Sequence, residues 1–279
     1  MNYLLLAILC SGAIAIIFKY NENNGVNRLV VTTSNYFVAV IFTFIISINK
    51  TGKIISNIDN KMSILAVITG GLYFVCFIFY QKSIKNHGAS ITSIYSKFGV
   101  LLPMVFSMIL WKEFPTIVQS IGLLTALIAL FILNYSPDIH PLKNIKFLLV
   151  FLLILSGLGD FSNKLFQKYG NVLYKESFLS ILFFSALVFS FLYSLKRVKT
   201  IKPRDILIGF LVGVPNLFSS FFLILALNKL KATLVFPLYS VGSMLVIILL
   251  SALIFKEKLH KKDWFSILLT CIALVLINI

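Results

Sequence analysis

The sequence predicts an all-α integral membrane protein with ten transmembrane helices that form two inverted five-helix repeats. Three observations predict this fold: the composition is too apolar for a soluble domain, the apolar segments have the length of membrane spans, and the last segment repeats an earlier one. Of the 279 residues, 59% are apolar and 12% are charged, whereas a soluble domain needs about a quarter of its residues charged. Much of the surface must therefore face lipid.

Ten apolar segments are long enough to cross a bilayer, which takes about 20 residues of α-helix. They lie at about 3–20, 29–48, 62–81, 89–111, 115–134, 146–168, 177–195, 205–228, 232–254 and 262–279. The joints between them are short, and no soluble domain is inserted. The first segment has no basic residue before it and no small-residue cleavage site, so we expect it to be retained as a helix rather than removed as a signal peptide.

The segment Trp111–Asn134 is repeated 144 positions later as Phe255–Asn278, with a Lys-Glu pair and a terminal asparagine in register. The polar joint Ser136–Ile145, which carries two prolines, separates the fifth segment from the sixth, so we predict the halves at 1–137 and 138–279. Each half holds five segments, which is an odd number. Two like halves must then lie in opposite orientations across the membrane, an arrangement common among secondary transporters.

The same offset aligns Gly70 and Gly71 in the third segment with a Val-Pro step at Pro215 in the eighth. We expect both segments to be interrupted there, and matching interruptions in two halves point to a transport site. Glycine and proline are also frequent in transmembrane helices without such a role, so both interpretations stay open. Further candidate breaks or hinges are Pro103 and Pro237. Two other glycines of the eighth segment, Gly209 and Gly213, are expected to serve close helix packing.

Charges inside a membrane span cost about 2.5–3.5 kcal/mol each, and four charged residues of the predicted spans are candidates for a functional role. Asp160 and Lys164 are one helical turn apart and share a face, which suits either a neutralising ion pair or a cavity-facing pair. Lys97 lies about 12 Å along the fourth helix, too deep for its ammonium to reach the headgroups easily. Its counterpart in the second half is Val241, so we expect Lys97 to line a cavity. Lys19 is near a helix end and can reach the headgroups.

The segment pattern resembles the drug/metabolite transporter superfamily, EamA type. In each half the penultimate helix ends in a glutamate and the last helix contains glycine or alanine. The residues that carry the resemblance are Pro103, Glu113, Gly122 and Glu257, with the stretches Ser11–Lys19 and Ser156–Lys164 that open the two halves. The resemblance covers the whole chain. The second half departs from the pattern at Ile247, which stands where the first half has Pro103.

The resemblance implies a secondary transporter of the cytoplasmic membrane of a prokaryotic cell, working by alternating access, with export the expected direction. It implies that both termini are cytoplasmic, although the basic residues are more numerous in the opposite loops, which favours the reverse orientation. It also places a substrate cavity at the interface of the repeats, lined by helices one, three, four, six, eight and nine. The substrate-binding residues predicted on these helices are Lys97, Asp160, Lys164, Asn163, Tyr73, Tyr95, Asn216, Tyr239 and Lys19.

Three lysines against one aspartate in this set favour a small organic anion or an amino acid as the substrate. Asp160 is the only carboxylate deep enough to carry a proton, so coupling to protons or ions, exchange and plain facilitation all remain open. We expect a monomer or weak homodimer in contact with membrane lipids. Two other functions stay open: a flippase for a lipid or lipid-linked substrate, and a membrane scaffold or sensor that transports nothing.

Enzymatic and nucleic-acid-binding functions are not expected. The sequence holds no P-loop, no Ser/His/Asp or Cys/His constellation and no carboxylate pair spaced for hydrolysis. The three cysteines lie in apolar segments without the spacing of a metal site or disulfide framework. The formal net charge of +16 comes from basic residues scattered between apolar segments, as at membrane surfaces. We therefore predict no cofactor, no metal and no nucleic-acid partner.

Overall fold

The computed structural model describes residues 1–21, 25–52, 58–87, 89–134, 147–198, 200–256 and 260–278. The predicted boundary between the halves, the joint Ser136–Ile145 and Glu257 lie outside these residues. The described residues form eleven α-helices and no strand. The helices are α1 (Asn2–Asn21), α2 (Arg28–Thr51), α3 (Asn60–His87), α4 (Ala89–Phe98), α5 (Leu101–Trp111), α6 (Ile117–Asn134), α7 (Phe147–Tyr169), α8 (Lys175–Leu195), α9 (Pro203–Leu227), α10 (Ala232–Phe255) and α11 (Lys261–Asn278). A short 3₁₀ turn, Val172–Tyr174, precedes α8.

Seven helices in the described part of the chain are long and apolar enough to cross a membrane: α1, α2, α3, α7, α8, α9 and α10. Shorter apolar stretches run from Tyr95 to Trp111 and from Ile117 to Ile132. Large apolar side chains are also exposed on these helices, as lipid contact requires. The prediction of an all-helical, multi-pass membrane protein is confirmed, while the count of ten spans stays a prediction.

The fourth predicted segment is two helices rather than one, because the chain breaks at Gly99 and Val100 between α4 and α5. At the break the backbone turns more tightly: Gly99 N–H donates to Ser96 O and Val100 N–H to Lys97 O, both at 3.3 Å. Pro103 follows in the first turn of α5, where its missing N–H leaves no helical hydrogen bond unmade. The break therefore lies just before the proline.

The interruptions expected at Gly70, Gly71 and Pro215 are not found. The two glycines lie inside α3, and Pro215 lies inside α9, with helix on both sides. Pro237 is likewise inside α10. A glycine in a helix is a modest cost of about 1 kcal/mol, and a transmembrane proline is tolerated where neighbouring groups satisfy the freed carbonyl. Neither residue type is sufficient to end a helix here.

The chain divides into two compact units, each drawn from both predicted halves. Unit 1 comprises Met1–Phe74 and Ser162–Asn228, and unit 2 comprises Val75–Phe161 and Lys229–Ile279. In unit 1, α2 packs against α8 and α9, and α1 against α9. In unit 2, α6 packs against α11, and α10 packs against α5, α6 and α11. The division passes through α3 and α7, so each unit contains a part of both helices.

Glycines bring the helices of unit 1 into backbone contact. A Cβ added at Gly209 of α9 would lie 2.6 Å from the carbonyl oxygen of Val31 on α2, and one at Gly213 would lie 2.7 Å from that of Asn35. These distances leave no room for any side chain. Small residues allow such close approach in membranes, where van der Waals packing holds helices together. The packing role expected for Gly209 and Gly213 is confirmed.

Gly70 has the same role between α3 and α8, and its neighbour Gly71 provides a matched control. A Cβ at Gly70 would collide with Ser185 Oγ and lie 2.9 Å from Ala186 N, whereas one at Gly71 would touch only the Phe189 ring at 3.4 Å. We therefore expect Gly70→Ala to destabilise unit 1 by about 1–3 kcal/mol through overpacking.

Gly71→Ala should leave stability unchanged or slightly raised, because the added methyl meets only ordinary contact in a helix interior. Thermal unfolding of both variants in the same detergent tests the pair. Equal melting temperatures for the two variants would show that the close approach of Gly70 to α8 does not limit stability.

Candidate functional site

Lys97 lies in the last turn of α4, immediately before the helix break, and both its side chain and its backbone are tied to α10. Its Nζ donates to Ser243 Oγ at 3.2 Å. The Ser243 hydroxyl itself donates to Ser240 O at 2.9 Å, which leaves an oxygen lone pair facing the ammonium. Ser240 Oγ in turn donates to Lys97 O at 3.5 Å. The two serines thus hold the lysine on α10 of unit 2.

Asp160 on α7 is the acidic partner within this unit, since its carboxylate and the Lys97 ammonium interact electrostatically. In the sequence, Asp160 is one helical turn from Lys164. In the structure, Lys97 is a second cation that acts on Asp160, and it comes from a distant part of the chain. Opposite charges in an apolar surrounding attract strongly because little water screens them. Unit 2 therefore carries a pair of opposite charges, one on α4 and one on α7.

The break itself is held against α7 by small residues. Ser96 O, freed from a regular helical bond, accepts from Ser156 Oγ at 2.9 Å. A Cβ at Gly99 would collide with Ser156 Oγ and lie 2.8 Å from Leu153 O. A Cβ at Gly157 would lie 2.5 Å from Gly99 O. The close approach at Gly157 is one turn from Asp160, so the break and Asp160 lie on the same part of α7.

Tyr95 and Tyr239 are also in unit 2, on α4 and α10, and both side chains are half-buried. They occupy equivalent positions in the two repeats, 144 residues apart. Their predicted part in substrate binding stays a prediction. No group of three or more His, Cys, Asp or Glu side chains that could hold a metal ion occurs among the described residues.

In unit 1 the predicted polar residues form separate hydrogen bonds. Asn163 Nδ2 donates to Tyr73 OH at 3.0 Å, linking α7 to α3. Asn216 Nδ2 donates to Asn35 Oδ1 at 3.1 Å, linking α9 to α2. Asn35 is 7% exposed, and the sequence interpretation overlooked it. An asparagine within the second apolar segment was the available signal, because a polar side chain in a span needs a partner.

The remaining two lysines of the predicted set are also in unit 1. Lys164 is 2% exposed, and its Nζ donates to Gln167 Oε1 at 2.9 Å. Lys19 is half-buried in the last turn of α1. A lysine as buried as Lys164 cannot reach the headgroups, so its charge must be met inside the protein.

Another charged cluster lies in unit 1. Its members fall between the predicted apolar segments, so the sequence does not indicate that they are buried together. Lys175 and Glu176 begin α8 and are 7% and 5% exposed. Lys175 Nζ lies 2.9 Å from Glu176 Oε1 and 4.7 Å from the centre of the Phe221 ring. Lys50 Nζ lies 3.1 Å from the same carboxylate and donates to Leu173 O at 2.7 Å. The cluster joins the end of α2 to the start of α8.

The lysines of the repeated Lys-Glu pair lie where two helices end, and Glu113 is the described glutamate of the pair. Lys112 and Lys256 end α5 and α10 in the left-handed conformation, with φ of 54° and 53°. Glu113 Oε2 accepts the Ala232 N–H at 2.8 Å, so it caps the N-terminus of α10, where a carboxylate is favourable. Lys231 Nζ donates to Phe114 O at 2.9 Å in the same contact.

Comparison with known proteins gives a consistent result. A family model described as the EamA-like transporter family matches residues 1–135 and again 144–279. A protein of Haemophilus influenzae, described as uncharacterized, is 26% identical over 284 residues, which cover 98% of this chain and 96% of that protein. A solved crystal structure superposes with a TM-score of 0.80 at 13% identity over 99% of this chain and 95% of that chain. This structural likeness concerns the fold alone.

The Glu176 carboxylate contacts two lysines, the buried Lys175 and the more exposed Lys50. Substitutions at Glu176 and at Lys50 therefore compare the contributions of the buried and the exposed contact to stability. We expect Glu176→Gln to lower the free energy of unfolding by about 3 kcal/mol, because the buried Lys175 ammonium then lacks its counter-charge. Lys50→Gln should cost less than about 1 kcal/mol, since its side chain is 39% exposed and Glu176 keeps Lys175. Thermal unfolding in detergent checks both. A Lys50→Gln variant as unstable as Glu176→Gln would contradict the ranking.

Proposed function

The chain belongs to the EamA-like transporter family, whose members transport small solutes across membranes, and we propose that its solute is a small organic anion or an amino acid. We propose export across the cytoplasmic membrane of a prokaryotic cell by alternating access, with both termini cytoplasmic. Ten spans follow if α4 and α5 together make one span. Five spans in each matched half then give two repeats of opposite orientation.

The observation that carries the proposal is the Lys97 ammonium at the α4–α5 break, hydrogen-bonded to Ser243 and within electrostatic range of Asp160 in unit 2. A charge inside a membrane span is expensive and has a functional role by default. Irregular backbone at membrane depth is tolerated only where it is buried in protein or lines a water-filled cavity. The lysine and the break occur together, which supports a solute site at this place.

The opposite charges favour an amino acid within the proposed class. A carboxylate of the solute would replace Ser243 as the partner of Lys97, and an ammonium group would take the Asp160 carboxylate. Each charge-assisted hydrogen bond contributes about 1.5–3 kcal/mol. A simple anion would use Lys97 alone and leave Asp160 to take up a proton, which is the route for proton coupling. The polar residues of unit 1 remain candidates for solute contact in their own unit.

The first test needs no known substrate. A thermal-shift screen of the detergent-solubilised protein against amino acids and small organic acids should show stabilisation by members of one class, because a ligand that binds only the folded state raises its stability. Stabilisation by none would favour the scaffold or sensor function over transport. Stabilisation by lipids alone would favour the flippase.

The second test uses proteoliposomes loaded with a solute from that screen. Lys97→Gln should lower the apparent affinity about 10- to 100-fold, because a charge-assisted hydrogen bond is lost. Asp160→Asn should impair an amino acid more than a simple anion. Lys82→Gln is the matched control, since Lys82 is exposed near the end of α3. Unimpaired transport by both Lys97→Gln and Asp160→Asn would reject this site.

A further inference from the structure

Unit 1 contains a groove of about 500 Å³ between α2, α8 and α9. Its apolar lining includes Phe37, Val188, Phe191, Leu192, Ile206 and Phe210. Several of these side chains are strongly exposed, with Phe191 at 52% and Leu192 at 57%. The volume is in the range of small-molecule sites, which is about 300–1,000 Å³. The groove is therefore large enough for an extended apolar ligand.

Two polar side chains line the groove, Thr33 and Ser34, and the Thr33 hydroxyl is already hydrogen-bonded to the protein. Thr33 Oγ1 donates to Leu29 O at 3.0 Å and lies 2.7 Å from Ser190 Oγ. Gly209 brings the backbone of α9 against Ser34 of α2, which is one of the lining residues. An occupant gains little by bringing polar groups here, because seven of the nine lining residues are apolar and the Thr33 hydroxyl has partners. The chemistry of the groove favours hydrocarbon.

One end of the groove is strongly basic. The basic residues described there are Arg28, Lys196, Arg197, Lys202 and Arg204. Lys196 follows Leu192 by four residues at the end of α8 and continues the helix face that lines the groove, about 6 Å beyond it. Lys202 is the residue just before α9, which places it at the same end. All five side chains are exposed, whereas the acidic residue at this end, Asp205, is 2% exposed.

We propose that this groove binds an anionic phospholipid, with an acyl chain along the phenylalanines and the phosphate at Lys196 and Lys202. Anionic headgroups are attracted by basic residues at the membrane surface, and the acyl chain fits the apolar lining. Phe37 and Phe210, whose rings stack at 6.5 Å, form a flat wall of the groove. The site belongs to unit 1 and is separate from the Lys97 site.

Charge decides between this lipid and a second copy of the chain. Two copies in one membrane share an orientation, so a two-fold contact through this groove would place the same surface against itself. The five basic side chains would then face five others, which is unfavourable. The lipid has the complementary charge. The proposal also gives the basic residues of this end a function other than setting the orientation of the chain.

The experiment is native mass spectrometry of the full chain in detergent with equal amounts of phosphatidylglycerol and phosphatidylcholine of the same acyl chains. The wild type should retain phosphatidylglycerol preferentially. Lys196→Gln with Lys202→Gln should lower that affinity about 30-fold and leave phosphatidylcholine unchanged. Val188→Trp, which fills the groove, should lose both lipids, and Leu192→Trp provides a second variant of this kind.

Two controls match these variants. Lys82→Gln removes an exposed lysine elsewhere, and Leu211→Trp adds an indole to an exposed position of α9 that does not line the groove. Equal retention of the two lipids by the wild type would overturn the proposal, as would groove variants that behave like these controls. Displacement of the lipid by inorganic phosphate alone, or a dimer lost in Val188→Trp, would assign the surface to a free anion or a second copy instead.

Discussion

The arrangement of unit 2 depends on one requirement, that backbone groups inside a membrane be satisfied by the protein. At the break between α4 and α5 the carbonyl of Ser96 accepts the Gly99 N–H at 3.3 Å, whereas a continuous helix would pair it with the amide four residues ahead. The hydroxyl of Ser156 donates a hydrogen bond to that carbonyl, and the hydroxyl of Ser240 donates one to the carbonyl of Lys97. These hydroxyls supplement the two backbone hydrogen bonds of the break, which are 3.3 Å long, in an apolar surrounding. With them, the turned chain is tied to α7, which carries Asp160, and to α10, whose Ser243 accepts from Lys97.

Close approach of backbones stabilises helix packing in both units, because lipid supplies no hydrophobic force that drives one apolar helix onto another. Gly99 and Gly157 bring the break against α7, and Gly209 and Gly213 bring α9 against α2. Glycine at these positions maximises van der Waals contact. At the break it also shortens the distance that the Ser156 hydroxyl must span to its acceptor. Gly99 and Gly157, which pack the break against α7, therefore also make the hydrogen bond from Ser156 possible.

Composition, segment length and the repeat were enough to predict an all-helical membrane transporter, because each is set by the bilayer and not by particular contacts. The site was predicted in part. Lys97 and Asp160 stood out as costly charges, but their proximity joins α4 to α7 and leaves no local pattern. A break was predicted at Gly70, because the sequence does not distinguish a glycine that ends a helix from one that allows close contact between two helices. Lys175 was placed in a loop, since the partners that bury it, Lys50 and Phe221, are remote in sequence.

The differences between the repeats explain the asymmetry at Lys97. The offset of 144 pairs Ser96 with Ser240, Lys97 with Val241 and Gly99 with Ser243. Where the first half has glycine and breaks, the second half has serine and stays helical in α10. The oxygen of that serine accepts a hydrogen bond from the Lys97 ammonium, so the substituted position of one repeat contacts the candidate site residue of the other. The similarities of the halves specify the fold, and these substitutions specify the charge.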